Sequence, residues 1–359
     1  MSPRLLSLLF LWRWHAWVGF IVLLGTVLAA VPAAADEFSA TSYVFGTLAE
    51  VTVVSADAVR ARRAAEQVLR EFDRMHRDLH AWQPGALVSL NQGIARGDRY
   101  IRTTPEIATL IRSAQRLESR SGGTFDPAVG RLLGLWNFHK NKAGGPLPSP
   151  NEIAEIVRAH PSMSDLSVQG ETVISSNPTV QLDFGGYAKG YALDRAAAIL
   201  SAYGITDALI NVGGNIMALG RHGERPWRVA LESPRGNSLL ATIDLRNGEA
   251  IGTSGDYRRY YEIDGKRYAH IIDPRTGFPV PGVESVTILV QPREGAGALS
   301  DAGSKPIFIG GIAGWRDAAT RMGISCALLI DSGGVVHVTR ELDRRLRFSD
   351  RTVVTDVVP

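Results

Sequence analysis

Four short segments gather the residue types that chemistry needs. Ser121-Gly122-Gly123-Thr124-Phe125-Asp126-Pro127 follows a helical stretch. Its small residues let backbone approach a ligand, and the Asp126 carboxylate accepts hydrogen bonds from a base or a ribose. It reads equally as a helix C-cap followed by an Asp-Pro turn. Asp183-Phe184-Gly185-Gly186-Tyr187-Ala188-Lys189 carries an acid at a strand end, two glycines, and a helix opening near Lys189. A helix N-terminus beside a lysine suits an anion, although an ordinary strand–turn–helix has the same outline. Thr253-Ser254-Gly255-Asp256 offers hydroxyls and N–H groups to phosphate oxygens. It is followed by His270, on a strand that ends in the Asp273-Pro274-Arg275-Thr276-Gly277 turn. An imidazole there serves as a general base near neutral pH. Finally, Asp301 is expected at the start of a helix, where an acid could hold Mg²⁺ shared with a diphosphate, or simply face the helix dipole.

Other chemistries lack their signatures. There is no G-x-x-x-x-G-K-[ST] loop, no G-x-G-x-x-G, no G-x-S-x-G and no H-E-x-x-H. His76 and His80 stand four apart on a helix, but no third ligand accompanies them, so they read as solvent-facing residues. The 39 Lys plus Arg balance 36 Asp plus Glu without a basic block, which argues against nucleic-acid binding. The single cysteine, Cys326, excludes an internal disulfide and any thiolate cluster held by this chain alone.

Elements that would position these segments follow from periodicity and caps. A strand is expected over Val44–Val54 and a helix over Val59–Leu79, with Val68, Phe72, Met75 and Leu79 on one face. Thr104-Pro105 opens a helix that Gly122-Gly123 stops. Residues 137–149 read as a Gly/Pro-rich loop, and Ser149 to Glu152 as a capping box for a helix ending before Pro161. Lys189–Tyr203 is helical; Ala208–Val212, Trp227–Leu231, Leu239–Leu245, Tyr268–Ile272 and Ser285–Gln291 are strands. One helix is expected over Leu299–Ile309, then strands at Cys326–Ile330 and Val335–Val338. Strands in runs with few helices between them indicate an α+β fold.

Residues 1–35 read as an export signal: Arg4 and Arg13, the uncharged run Ala16–Val31, then small Ala33-Ala34-Ala35. The alternative is an uncleaved anchor associating the chain with a membrane, since the uncharged stretch is long enough to span. Either places residues 36–359 outside the cytoplasm, in a periplasm.

Taken in order, these segments resemble the ApbE family, the FAD:protein FMN transferases. The matching residues are Gly46-Thr47, Ser121 to Pro127, Trp136, Asp183 to Tyr191, Asn211 to Gly214, Thr253 to Tyr257, His270 to Gly277 and Asp301-Ala302. The resemblance implies an α+β fold of largely antiparallel sheets with flanking helices and a flavin site between subdomains. It implies that FAD is split with Mg²⁺, that FMN passes to a Thr or Ser hydroxyl of an exported acceptor flavoprotein, and that AMP leaves. It also implies roles. Asp301 would ligate the metal with a backbone carbonyl near Gly186. His270 would assist deprotonation of the acceptor. Asp183, Lys189, Thr253, Ser254 and Thr124-Phe125-Asp126 would hold FAD, with Phe45 and Trp82 against the flavin. Three positions depart from the pattern. Phe45 replaces the usual Met, and His80 replaces a frequent Ser. Lys305 stands where the D-x-x-x-T metal pair has its Thr. A charged ammonium cannot ligate a metal. Lys305 would then either supply charge to a phosphate itself, or weaken metal binding so that FAD is held without being cut. Two readings therefore stand beside the transferase: a non-catalytic FAD-binding accessory protein for a respiratory flavoprotein, and an FAD diphosphatase.

Overall fold

The computed structural model describes residues 36–140, 146–236, 238–257, 259–263, 266–350 and 353–358. The leader at 1–35 and part of the 137–149 loop lie outside the described residues. The chain runs β1 (Asp36–Val44), β2 (Thr47–Ser55), α1 (Ala58–Asp78), α2 (Ala86–Arg96), β3 (Ile101–Arg102), α3 (Pro105–Ser121), α4 (Gly130–Leu135) and α5 (Pro150–Ala159). It continues through β4 (Leu166–Gln169), β5 (Thr172–Ser175), α6 (Ala188–Ala202), β6 (Asp207–Val212), β7 (Asn215–Leu219), β8 (Trp227–Glu232) and β9 (Leu239–Leu245). Then come β10 (Ala250–Gly255), β11 (Tyr260–Ile263), β12 (Lys266–Ala269), β13 (Val283–Val290), α7 (Ala296–Ala302) and α8 (Ser304–Met322). The last elements are β14 (Cys326–Asp331), β15 (Val336–Thr339), α9 (Arg340–Asp343), β16 (Leu346–Phe348) and β17 (Thr355–Val358).

The frame is a nine-stranded sheet in the order β1-β2-β6-β7-β10-β13-β14-β15-β17. Every neighbouring pair is antiparallel except β15 with β17. This is the expected α+β class. At its centre β13 (Val-Glu-Ser-Val-Thr-Ile-Leu-Val) is buried at every position, as a strand covered on both faces must be. On one face α1, α6, α7 and α8 form the main core with residues such as Phe72, Met75, Leu193 and Phe308. On the other, Trp227, Val229 and Ile243 of the β16-β9-β8 sheet pack against Ile216, Ile251 and Leu328. A third, small cluster joins Leu132, Trp136 and Phe138 to Ile153, Tyr261 and Ile272.

Caps behave as their chemistry demands. Thr104 accepts from Ile107 N at the start of α3, and Gly122 closes it in the left-handed region. Ser149 and Glu152 form the capping box of α5.

Four expectations are corrected. The Val44–Val54 strand is a hairpin, β1 and β2, which turns at Phe45 and Gly46 with φ of 53° and 71°. Its first strand is missed because an edge strand is largely exposed and shows little apolar alternation. Regular pairing at Tyr268–Ile272 stops at Ala269; Ile272 keeps only an isolated bridge to Pro279, because the 273–277 turn reverses the chain. The Leu299–Ile309 helix is two helices. Pro306 has no N–H to donate to Ala302, so the ladder breaks at Gly303. Asp301 consequently lies near the end of α7, one turn before α8, and not at a helix start. Several elements carry no expectation, most of them short strands and single helical turns; among the longer ones α2 lacks a side-chain cap and contains Gly93, and β7 follows directly on a glycine turn.

Candidate active site

The three core clusters meet around a cleft of about 770 Å³. Every residue singled out above as catalytic, cofactor-binding or metal-ligating lines it: Phe45, Trp82, Thr124, Phe125, Asp126, Asp183, Gly186, Lys189, Thr253, Ser254, His270, Asp301 and Lys305.

The floor is where α6 crosses α7. Glycines make the crossing possible: a Cβ on Gly190 would sit 2.2 Å from Gly297 O and 2.6 Å from Asp301 Cβ. Asp194, one turn along α6, accepts from Gly297 N and Ala298 N at 2.8 Å each and so caps α7. Burial pushes that carboxyl up to about 6. The contact delivers Asp301, 2% exposed, to the floor. Its Oδ2 accepts from Gly190 N at 3.0 Å and lies 3.6 Å from Lys189 Nζ. Lys305 Nζ donates to its Oδ1 at 2.5 Å and to its backbone O at 2.8 Å. Burial opposes ionisation, but Lys189 and Lys305 hold the Asp301 carboxyl well below the usual range.

This donor set does not fit a divalent cation. Both Asp301 oxygens are engaged, one by an ammonium. The stem of Lys305 covers Gly186, whose Cβ position is 3.2 Å from Lys305 Cε. Among the described residues no group of three or more His, Cys, Asp or Glu side chains could hold a metal.

The walls come from loops. Trp82 Nε1 donates to Asp183 Oδ2 at 2.8 Å, and Asp183 Oδ1 accepts from Gly185 N at 2.7 Å. Asp183 therefore fixes the glycine turn and the indole together. One indole face stacks on His139, with ring centroids 4.3 Å apart. Phe45 is set by the hairpin turn, where its N–H donates to His76 Nδ1 at 3.2 Å. His76 and His80, expected to face solvent, thus border the cleft; their Nδ1 atoms accept from Phe45 N, and from Trp82 N and Gln83 N, respectively. Ser121 orders the next loop: its Oγ accepts from Phe125 N, and Thr124 Oγ1 donates to Ser121 O. Asp126 Oδ1 accepts from Ala128 N, and burial pushes its carboxyl up to about 7.

The β10 side supplies hydroxyls. Thr253 Oγ1 pairs with Thr287 Oγ1 at 2.8 Å and Ser254 Oγ with Ser304 Oγ at 2.6 Å. Ser304 Oγ in turn donates to Asp301 O, which ties β10 to the start of α8. Asp256 forms a bidentate pair with Arg235 and so anchors the loop after β10. His270 Nδ1 lies 3.1 Å from Arg259 O. A carbonyl only accepts, so Nδ1 carries the proton and Nε2 keeps a lone pair. Burial, Arg259, Lys189 and Lys305 keep the imidazole well below its ordinary value, hence neutral at pH 7.

Sequence reasoning missed three supports. Buried Asn91 donates to Leu182 O and accepts from Leu182 N, holding the segment that ends at Asp183. His139 backs the indole. Arg259 donates to Phe138 O and receives His270. Only contacts across 91, 57 and 11 to 121 residues reveal them, for which local sequence holds no signal.

The family model named ApbE family matches residues 45–328. The chain is 43% identical over 332 residues to the FAD:protein FMN transferase of Rhodobacter capsulatus, covering 91% of this chain. It spans 62% of the length of that relative. It is 32% identical over 286 residues to the FAD:protein FMN transferase of Klebsiella pneumoniae strain 342, covering 76% of this chain and 81% of the other. The crystal structure of the ApbE protein of Thermotoga maritima superposes with a TM-score of 0.78 at 31% identity, over 87% of this chain and 100% of that one. The apo flavinyl transferase ApbE of Pseudomonas stutzeri gives a TM-score of 0.74 at 26% identity, over 87% and 97%. With family model, relatives and fold in accord, the chain belongs to the ApbE family.

Proposed function

We propose that this chain is an FAD:protein FMN transferase. The oxygen of an acceptor Thr or Ser forms a bond to the FMN-side phosphorus of FAD. The bond from that phosphorus to the bridging oxygen breaks, its electron pair stays with AMP, and the hydroxyl proton passes to His270 Nε2. One observation carries the reading: a single cleft gathers aromatic walls for an isoalloxazine, the Thr253 hydroxyl for phosphate, a neutral His and two ammonium groups at its floor. Phosphoryl transfer is largely positioning plus neutralisation of developing charge, and this cleft supplies both. In this reading Phe45 and Trp82 flank the ring system, and Thr124 to Asp126 help to hold FAD. Thr253 and Ser254 line the phosphate path, with Lys189 and Lys305 beneath it.

The intact mass of an acceptor domain, after incubation with the protein and FAD, tests this. A gain of one FMN per acceptor, lost in His270→Ala or Asp301→Ala, is expected. FAD bound tightly with no gain on several acceptors would move the reading to an FAD-binding accessory protein, which the Asp301–Lys305 pair would favour. For residues 1–35 we further propose export to the periplasm, with the leader cleaved or kept as an anchor. Mass analysis of the protein from separated periplasmic and membrane fractions distinguishes these.

A further inference from the structure

The floor of the cleft has an unusual charge arrangement for a diphosphate site. Asp301 is one carboxylate, 2% exposed, between two ammoniums, Lys305 and Lys189, at 2.5 and 3.6 Å. Burial and the neighbouring Lys189 charge lower the Lys305 ammonium from its ordinary value, and the Asp301 carboxylate at 2.5 Å opposes them; with both lysines charged the cluster is net positive without any ion added, and all three side chains line the cleft. Lys305 spends two of its three N–H donors on Asp301 Oδ1 and O. Among the described residues the third has no protein acceptor assigned, and the ammonium lines the cleft. Lys189 donates to Gly185 O at 3.3 Å, which keeps its charge beside the helix start of α6. The position is built: Gly186 has no side chain to displace the Lys305 stem, and Ser304 fixes the Asp301 carbonyl that Lys305 grips. A divalent cation entering here would have to expel Lys305 from Asp301 and then sit among like charges.

We propose that in this chain the Lys305 ammonium, clamped by Asp301 and seconded by Lys189, takes the place of a divalent cation, so that the FAD diphosphate is bound and its FMN phosphorus neutralised without a metal. This rests on the transferase reading for the reaction, but not for FAD binding. In the step, the acceptor oxygen bonds to phosphorus as the bond to the AMP oxygen breaks. Lys305 and Lys189 face the non-bridging oxygens, AMP carries away the electron pair, and His270 holds the proton. Neither ammonium changes its covalent bonds.

The test is FAD titration of the purified protein by calorimetry, first in excess EDTA and then in Mg²⁺. Mn²⁺ alone is followed in parallel by its paramagnetic resonance. The expected result is an FAD affinity the same in both buffers within about twofold, and no bound Mn²⁺. In Lys305→Thr, a small hydroxyl frees Asp301; Mn²⁺ then binds, and EDTA weakens FAD by about tenfold or more. Lys305→Gln, with no charge and no metal ligand of comparable strength, weakens FAD by about ten- to a hundredfold whether or not Mg²⁺ is present. A native protein that loses FAD in EDTA and regains it with Mg²⁺ overturns the proposal, and needs no variant to fold. So does FMN transfer that requires Mg²⁺ although FAD binding does not. If FAD binds equally in both buffers but no acceptor gains FMN in either, the transferase reading fails while the metal-free site stands.

Discussion

The crossing of α6 over α7 is the structural device on which the site depends most, and Gly190→Ala tests it. The added Cβ would lie 2.2 Å from Gly297 O, about 1 Å inside ordinary contact. Relief by moving α7 is costly, because all of Ala296–Ala302 is buried and Asp194 fastens its first turn. Overpacking of this kind costs about 1–3 kcal/mol. Pushing α7 away also stretches the Gly190 N–H bond to Asp301 Oδ2, a charge-assisted contact worth about 1.5–3 kcal/mol. Better helix propensity returns about 1 kcal/mol. The net loss is about 2–5 kcal/mol, a large share of a typical folding free energy. In urea, with a slope of about 2–3 kcal/mol/M, the midpoint falls by about 1–2 M. FAD affinity falls with it, since Asp301 and the Lys305 it clamps are displaced. Gly314→Ala is the control: it is also helical, and its Cβ would meet nothing within 4 Å. It leaves the midpoint unchanged or raises it by the propensity gain. A Gly190→Ala protein as stable as Gly314→Ala, with native FAD affinity, would refute the reasoning.

Further tests address separate supports. Asn91→Leu leaves Leu182 N and O buried without partners, which costs about 2–5 kcal/mol and loosens the Asp183 turn; paired urea melts and FAD titrations show both effects together. Asp126, raised by burial to about 7, keeps its proton in the folded chain where the unfolded chain has lost it, so it makes stability fall as pH rises from about 4 to 7. Asp126→Asn removes that slope: relative to its parent, the variant gains up to about 4 kcal/mol across the window, read from denaturation midpoints at each pH without FAD. His270, depressed by burial and by Arg259, Lys189 and Lys305, stays neutral well into acid. The single-turnover transfer rate therefore stays within about twofold between pH 8 and 6, instead of halving near 6.5 as an ordinary His would require. His270→Gln lowers that rate by about a hundredfold or more without changing FAD affinity.

The legible parts of this protein are those written locally. Caps at Thr104 and Ser149, the glycine stop at Gly122 and the apolar face of α1 each operate within one or two turns, and each sits where its side-chain chemistry predicts. The site segments were legible for a related reason. Chemistry concentrates Asp, Lys, His, Ser and Gly at strand and helix ends, and such clusters stand out in a chain that is otherwise apolar and alternating. What escaped is non-local or conformational. Asn91 looks like any polar residue on a helix until the Leu182 backbone meets it. The turn at Phe45 requires a non-glycine residue at positive φ, against the local preference, and depends on the hairpin and His76 to hold it. Asp301 looked like a helix-start acid because the break between α7 and α8 is set by Pro306, several residues beyond it. Lys305 was visible as a departure, but the reason for it, a clamp on Asp301 over Gly186, exists only in three dimensions.

The most direct measurement of the central claim is a stoichiometric one. An acceptor domain, FAD and the purified protein are mixed in a single tube, and FMN on the acceptor and AMP in solution are quantified over time by mass spectrometry. The account predicts that the two rise together, one AMP per flavinylated hydroxyl, and that AMP does not accumulate when the acceptor is left out. AMP and free FMN formed at the same rate without an acceptor would make the chain a diphosphatase and contradict it.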